Sequence, residues 1–148
     1  MGNTKSIGVA YSDQDIDGGT IGATTPSTIV GTTVYATTEI GYSAAAQGAV
    51  TQATSKSTGV TLNKSAGQIT MNDAALANAT NVSFTLTNST ISTKDVVVLS
   101  VSSGATAGAY NCWISGKSTG SCTITLRNLS GGSLSEAVVI NFVVIHVL

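Results

Sequence analysis

The segment Gly116-Lys117-Ser118-Thr119-Gly120 satisfies two chemical patterns at once. Read as G-x-S-x-G, it would lift Ser118 onto a strand-to-helix turn as a nucleophile, with a His and an acid nearby. Read as the tail of a phosphate-binding loop, it would set Lys117 and Ser118 against a nucleotide at a helix N-terminus. Neither context is present. The residues that follow, SCTITLRN (121–128), alternate as a strand does; position 111 holds Asn where the loop needs its leading Gly; the chain's single His lies at 146. The pattern predicts a hairpin turn of small residues joining two strands.

The remaining chemically able residues are isolated. Asp13-x-Asp15-x-Asp17-Gly18 has the carboxylate spacing of the front half of a calcium loop, but the twelfth position is Thr24 where a bidentate Glu is needed. The expectation is a solvated acidic turn. His146, between Ile145 and Val147, has no second His, Cys or Asp beside it in sequence, which makes a poor metal site and suits an edge or interface residue. Cys112 and Cys122 flank the same turn and allow one bridge: either two buried thiols or a cross-strand disulfide. Trp113 has the opposite parity to Cys112 and Ile114 and so points out of the core, as a partly covered surface aromatic or as a contact anchor. Asn-x-Ser/Thr sequons, among them those at Asn78, Asn81, Asn88 and Asn128, are what chance gives in a chain this rich in hydroxyls. No metal, cofactor or catalytic residue is implied, and no enzyme is expected: a hydrolase would need a general base beside a nucleophile.

Composition narrows the function classes further. Charged residues make up 9% of the chain and the net charge is −1. That is well under the ~25% of average usage, while Ser and Thr supply roughly a quarter of all residues. The lysines at 5, 56, 64, 94 and 117 are scattered singly, so no basic stripe for nucleic acid is visible. The longest apolar run, 137–148, is too short for a membrane span and is interrupted by Asn141 and His146. The segment after Met1 has no apolar stretch of the export kind, so synthesis in a cytoplasm is expected. Few surface charges are a risk for a free monomer, which suggests that other subunits cover much of the surface.

These residues must be positioned by strands. From residue 50 onward the chain reads as short β-branched and aromatic runs with brief connections, an antiparallel pattern of about seven strands. Strands are expected at 50–54, 59–62 and 68–71, with a single helical turn at 73–79 where alanines follow Asp73. Val82, Phe84 and Leu86 alternate with Ser83, Thr85 and Thr87, giving one buried and one wet face. Residues 95–101 are apolar on both faces, which reads as a central strand. Tyr110, Cys112 and Ile114 should meet Cys122, Ile124 and Leu126 in the core. Residues 137–147 are apolar at nearly every position, so one face should meet the core and the other a neighbouring subunit. The fold class is therefore all-β, a β-sandwich of jelly-roll-like type over residues 49–148. An extended N-terminal arm precedes it over residues 1–48, with a hinge at 42–48. The arm's isolated apolar residues Ile29, Val30, Val34 and Tyr35 cannot repay its ordering entropy alone and need a partner.

The strings VTQATSKSTGVTLNK, QITM, LTNSTISTKDVVVLSVSSG and SCTITLRNLSGGSLSEAVVINFVVIHV occur in this order over about residues 47–147. This region resembles a domain that recurs in virion proteins of tailed bacteriophages, whose signposts are the opening VTQxTSKxTGVTLN, a central N-x-x-I-x-x-x-DVV and a closing EAxxINFxVI. Two departures are Lys64-Ser65, where relatives often have Lys-Pro, and the His-Val-Leu end. The resemblance implies a capsid decoration (cement) protein on the outside of an icosahedral head, made in the bacterial host cytoplasm. Its implied partners are the major capsid protein and two further copies in a homotrimer, with neither nucleic acid nor membrane. The alternative is a head or tail fibre module that binds a host-surface glycan on an aromatic such as Tyr110 or Trp113. The residues expected at contacts are Ile29, Val30, Val34, Tyr35, Trp113, Val139, Val143 and Ile145.

Overall fold

A computed structural model describes residues 31–147. The chain divides into two units, residues 1–39 and 40–148. In the first, the described residues 31–39 form no strand and are exposed throughout. The expectations for Asp13, Asp15, Asp17, Ile29 and Val30 lie outside the described residues.

The second unit is an all-β sandwich. Its eight strands are β1 (Gln47–Thr51), β2 (Val60–Thr61), β3 (Ala66–Thr70), β4 (Asn81–Thr87), β5 (Val96–Ser103), β6 (Tyr110–Ser118), β7 (Ser121–Asn128) and β8 (Val139–Ile145). They form two four-stranded sheets, ordered β1-β3-β8-β5 and β2-β4-β7-β6. Their inward residues, among them Ile69, Phe84, Leu86, Ile124, Leu126, Ile140, Phe142 and Val144, fuse into one core. Each such side chain contributes about 1.5–3 kcal/mol by leaving water.

The period-2 pattern sets the faces. In β4, Phe84 and Leu86 are buried while Ser83, Thr85 and Thr87 are exposed. Cys112 stands opposite Leu126 and Ile114 opposite Ile124, which joins the two predicted sets in the core. The hairpin between β6 and β7 turns on Thr119 and Gly120, the latter at φ +82, a backbone region that favours glycine. Strand follows strand here, so the Gly116–Gly120 pattern has no helix behind it.

Three expectations are corrected. The sheets are mixed rather than antiparallel throughout: β1 pairs with β3 and β2 with β4 in parallel. Parallel neighbours need a crossover, and the chain supplies it by alternating between sheets, so that β2 lies between β1 and β3 in sequence but in the opposite layer. Glycine allows the first parallel pair to close. A Cβ on Gly67 would stand 2.6 Å from the Gly48 carbonyl oxygen and 2.8 Å from Leu62.

The second correction concerns residues 95–101, which belong to an edge strand and not a central one. The central strands are β3, β4, β7 and β8, each with neighbours on both sides. Valine on both faces of β5 therefore means partial exposure, with Val96 at 51% and Val98 at 46%. Third, residues 73–79 form no helical turn. So short a helix cannot repay its nucleation, and Leu76 instead exchanges backbone hydrogen bonds with Leu134. The strand limits also differ: β1 starts earlier than residue 50, β2 is only Val60–Thr61, and β3 starts at Ala66. The hinge 42–48 holds a 3-10 turn, Ala44–Ala46, followed by the start of β1.

Candidate interaction surface

Buried polar side chains pin the loops, and most lie within the strings quoted above. Gln52, within the opening string, donates to the carbonyls of Lys56 and Thr58 and accepts from the N–H of Asn72. Lys56 is one of the singly scattered lysines. It is 3% exposed, and its ammonium donates to the carbonyls of Asn72 and Glu136. Burial holds its pKa below the usual lysine value, against the pull of Asp73 and Glu136. The Glu136 carboxylate, in the closing string, accepts from the N–H and hydroxyl of Thr106, which hold its pKa down.

Two of the chance sequons have structural work. Asn88 and Asn128 are fully buried, one just past β4 and one at the end of β7. Each side-chain oxygen accepts from the N–H and the hydroxyl two residues on, at Thr90 and Ser130, while the amide donates to distant carbonyls. The Asn-x-Ser/Thr spacing thus builds a turn whose polar groups are all used inside the fold.

The one histidine is part of a latch. Asp95, 2% exposed at the start of β5, accepts from the N–H of Ser92 at 2.7 Å and of Val147 at 3.1 Å. His146 Nδ1 lies 3.1 Å from its Oδ2. An ionised carboxylate only accepts, so Nδ1 carries the proton. The N–H of Ser92 is the main cause of an Asp95 pKa held well below the usual carboxylate range. An Asp–His pair is two thirds of a nucleophilic triad. Among the described hydrogen bonds, however, His146 makes this one alone and no hydroxyl meets its other nitrogen. The pair fastens the end of β8 to the start of β5.

Lys117 joins this corner because of a bulge. The β6–β7 register shifts between Ile114 and Gly116, so Lys117 pairs with Cys122 on the inward side and its ammonium donates to the Asp95 carbonyl. The residue that the motif reading placed on a phosphate is therefore spent on a backbone oxygen. Cys112 and Cys122 are both free thiols, facing different partners across the hairpin. Burial raises both pKa values, that of Cys122 to about 11.

Two outer faces remain for contacts, and they differ in chemistry. The face of β2-β4-β7-β6 is a hydroxyl lattice, in which Thr125 bonds Ser83 and Ser115 at 2.8 and 2.7 Å. Trp113 sits half-buried on it, beside Thr125. Tyr110 points the other way, against the core, and burial of its hydroxyl pushes its pKa up to about 12.

The outer face of β1-β3-β8-β5 becomes apolar toward β5. Val143 stands opposite Val98, and Ile145 opposite Val96, with Val139 further along β8. Val139 and Val143 are half-buried, while Ile145 and Val147 are 51% and 45% exposed. Beside it, over β1, β3 and β8, a shallow depression of about 670 Å³ is lined by Ala49, Ala66, Gln68 and Asn141, among others. The structure therefore gathers Val139, Val143 and Ile145 on one face and puts Trp113 on the opposite face of the sandwich. Val34 and Tyr35 are exposed, at 63% and 90%, in the first unit. Sequence reasoning missed Val96 and Val98, whose strand it took for a central one.

Among the described residues no group of three or more His, Cys, Asp or Glu could hold a metal ion, and no helix is long and apolar enough to cross a membrane. No family model, curated protein or solved structure matches the chain.

Proposed function

We propose that this protein is a phage capsid decoration protein, which binds the outside of an icosahedral head as a homotrimer and bridges neighbouring capsomers. The observation that carries the reading is the apolar corner Val96, Val98, Ile145 and Val147, continuous with Val143, on a body with so few charges. Such a surface gains by being covered, at about 25 cal/mol per Å² before association costs are subtracted. The buried polar residues of the quoted strings hold loops in place, which suits a mechanical role. Body and first unit together would give each copy more than one attachment, and weak contacts then accumulate. Titration of purified protein onto expanded, undecorated heads tests this. Saturable binding with a rise in the head's disruption temperature supports the reading, and absence of both overturns it.

A fibre module that binds glycan is the second reading, favoured by Trp113 on a hydroxyl-rich face. Copy number separates the two: hundreds per particle fits decoration, tens or fewer fits a fibre.

A further inference from the structure

The sandwich has four sheet edges, and they are unequal. Edge β2 is two residues long. Edge β6 is bulged at Ser115 and carries Lys117. Edge β1 is five residues long and turns Gln47, Ala49 and Thr51 outward. Edge β5 is eight residues, VVVLSVSS, without charge or proline, and its one irregularity lies at its far end, between Val101 and Ser103. Natural edges are guarded against further pairing by short length, bulges, charge or proline. By each of these measures except its terminal bulge, β5 is unguarded.

The core behind β5 is also unsealed. Val97, Leu99 and Val101 point inward yet are only half-buried, as are Tyr110, Cys112 and Ile114 on β6, the strand stacked against β5 at this flank. Outward on the same strand, Val96 and Val98 are about half exposed. Among the described residues no strand pairs with the outer edge of β5, and an occupant must satisfy that backbone edge and present apolar side chains on both faces.

We infer that β5 pairs antiparallel with β5 of a second copy across a two-fold axis, extending β1-β3-β8-β5 into an eight-stranded sheet. A second copy meets every demand of the edge. Its β5 is valine-rich on both faces, and no like charges within β5 are brought together. Residues opposite each other in an antiparallel pair share a face, so the axis passes at a residue; placed at Val98, it brings the outward Val98 of both copies together. The contact is isologous and closes at two copies. It would link one trimer to the next where the copies are also trimeric, but it does not depend on the decoration reading.

The area sets the strength. A six-residue strand is about 20 Å long, and a flank two sheets deep is about 20 Å across, so each partner covers on the order of 400 Å². The total falls below the ~1,200 Å² of stable interfaces. The pair is transient in dilute solution and populated only where copies are crowded.

Sedimentation equilibrium and amide hydrogen exchange on the full chain, from about 10 µM to about 1 mM, test this. The expected result is an apparent mass that climbs to at least twice that of the species present at the lowest concentration, with β5 amides gaining protection as concentration rises and β1 amides unchanged. Val98→Lys, at an exposed position, should weaken the pairing by about tenfold or more. Ser100→Lys, at an exposed and already polar site, serves should Val98→Lys not fold. An apparent mass that does not change over the whole range overturns the inference. So does a dimer that neither lysine variant weakens, or one that forms without protection of β5.

Discussion

The Asp95 carboxylate, at the start of β5, sits 3.1 Å from Nδ1 of His146, two strands' ends held by one contact at the border of the apolar corner. The pairing spans 51 residues of sequence. It is a closing contact that forms only once β5 and β8 are side by side.

The latch makes stability depend on acid. The Asp95 pKa is depressed in the folded state, so the unfolded chain takes up the proton more readily. Its contribution is present above the unfolded value of about 4 and is lost as pH falls below that toward the folded value. Thermal melts should show wild type losing stability on acidification below about pH 4. Asp95→Asn should melt lower at neutral pH and lose less on acidification. Parallel pH profiles for the two proteins would remove Asp95 from this role.

Lys56 should act at the other end of the scale. Its folded pKa is lowered by burial, so between that value and the ordinary ~10.4 the unfolded chain binds more protons and stability rises with pH. Lys56→Met leaves the carbonyls of Asn72 and Glu136 without their donor. Urea unfolding at neutral pH should show a loss of about 1–3 kcal/mol, and the alkaline rise should disappear. An unchanged urea midpoint would mean that water replaces the ammonium without cost.

The buried Cys122 thiol should be silent until the fold opens. With Cys122 raised to about 11 and Cys112 also raised by burial, little thiolate exists near pH 8. Iodoacetamide labelling of Cys122, followed by mass spectrometry, should be about 100-fold or more slower in buffer than in urea. Prompt labelling of native protein would show that the β6 flank opens on the experimental timescale.

The sequence by itself determined the class of the fold. The alternation of Val82, Phe84 and Leu86 with hydroxyl residues, and the matched parity of Cys112, Ile114, Cys122, Ile124 and Leu126, fix which face each strand buries, because successive side chains on a strand must point to opposite sides. The small residues at 116–120 announced a hairpin for the same local reason. Tertiary structure alone decided which strands lie beside which. That choice made β5 an edge and β8 a centre, although both read as doubly apolar, and it set two pairs parallel. It also turned Lys56 and Lys117 inward, through loop packing and a one-residue bulge that no composition reveals. The candidate surface was half legible: the outward residues of β8 were foreseen, their neighbours Val96 and Val98 were not. Periodicity records what a residue does within its own strand, whereas exposure depends on the next strand over, and a sequence does not contain that neighbour until the chain has folded.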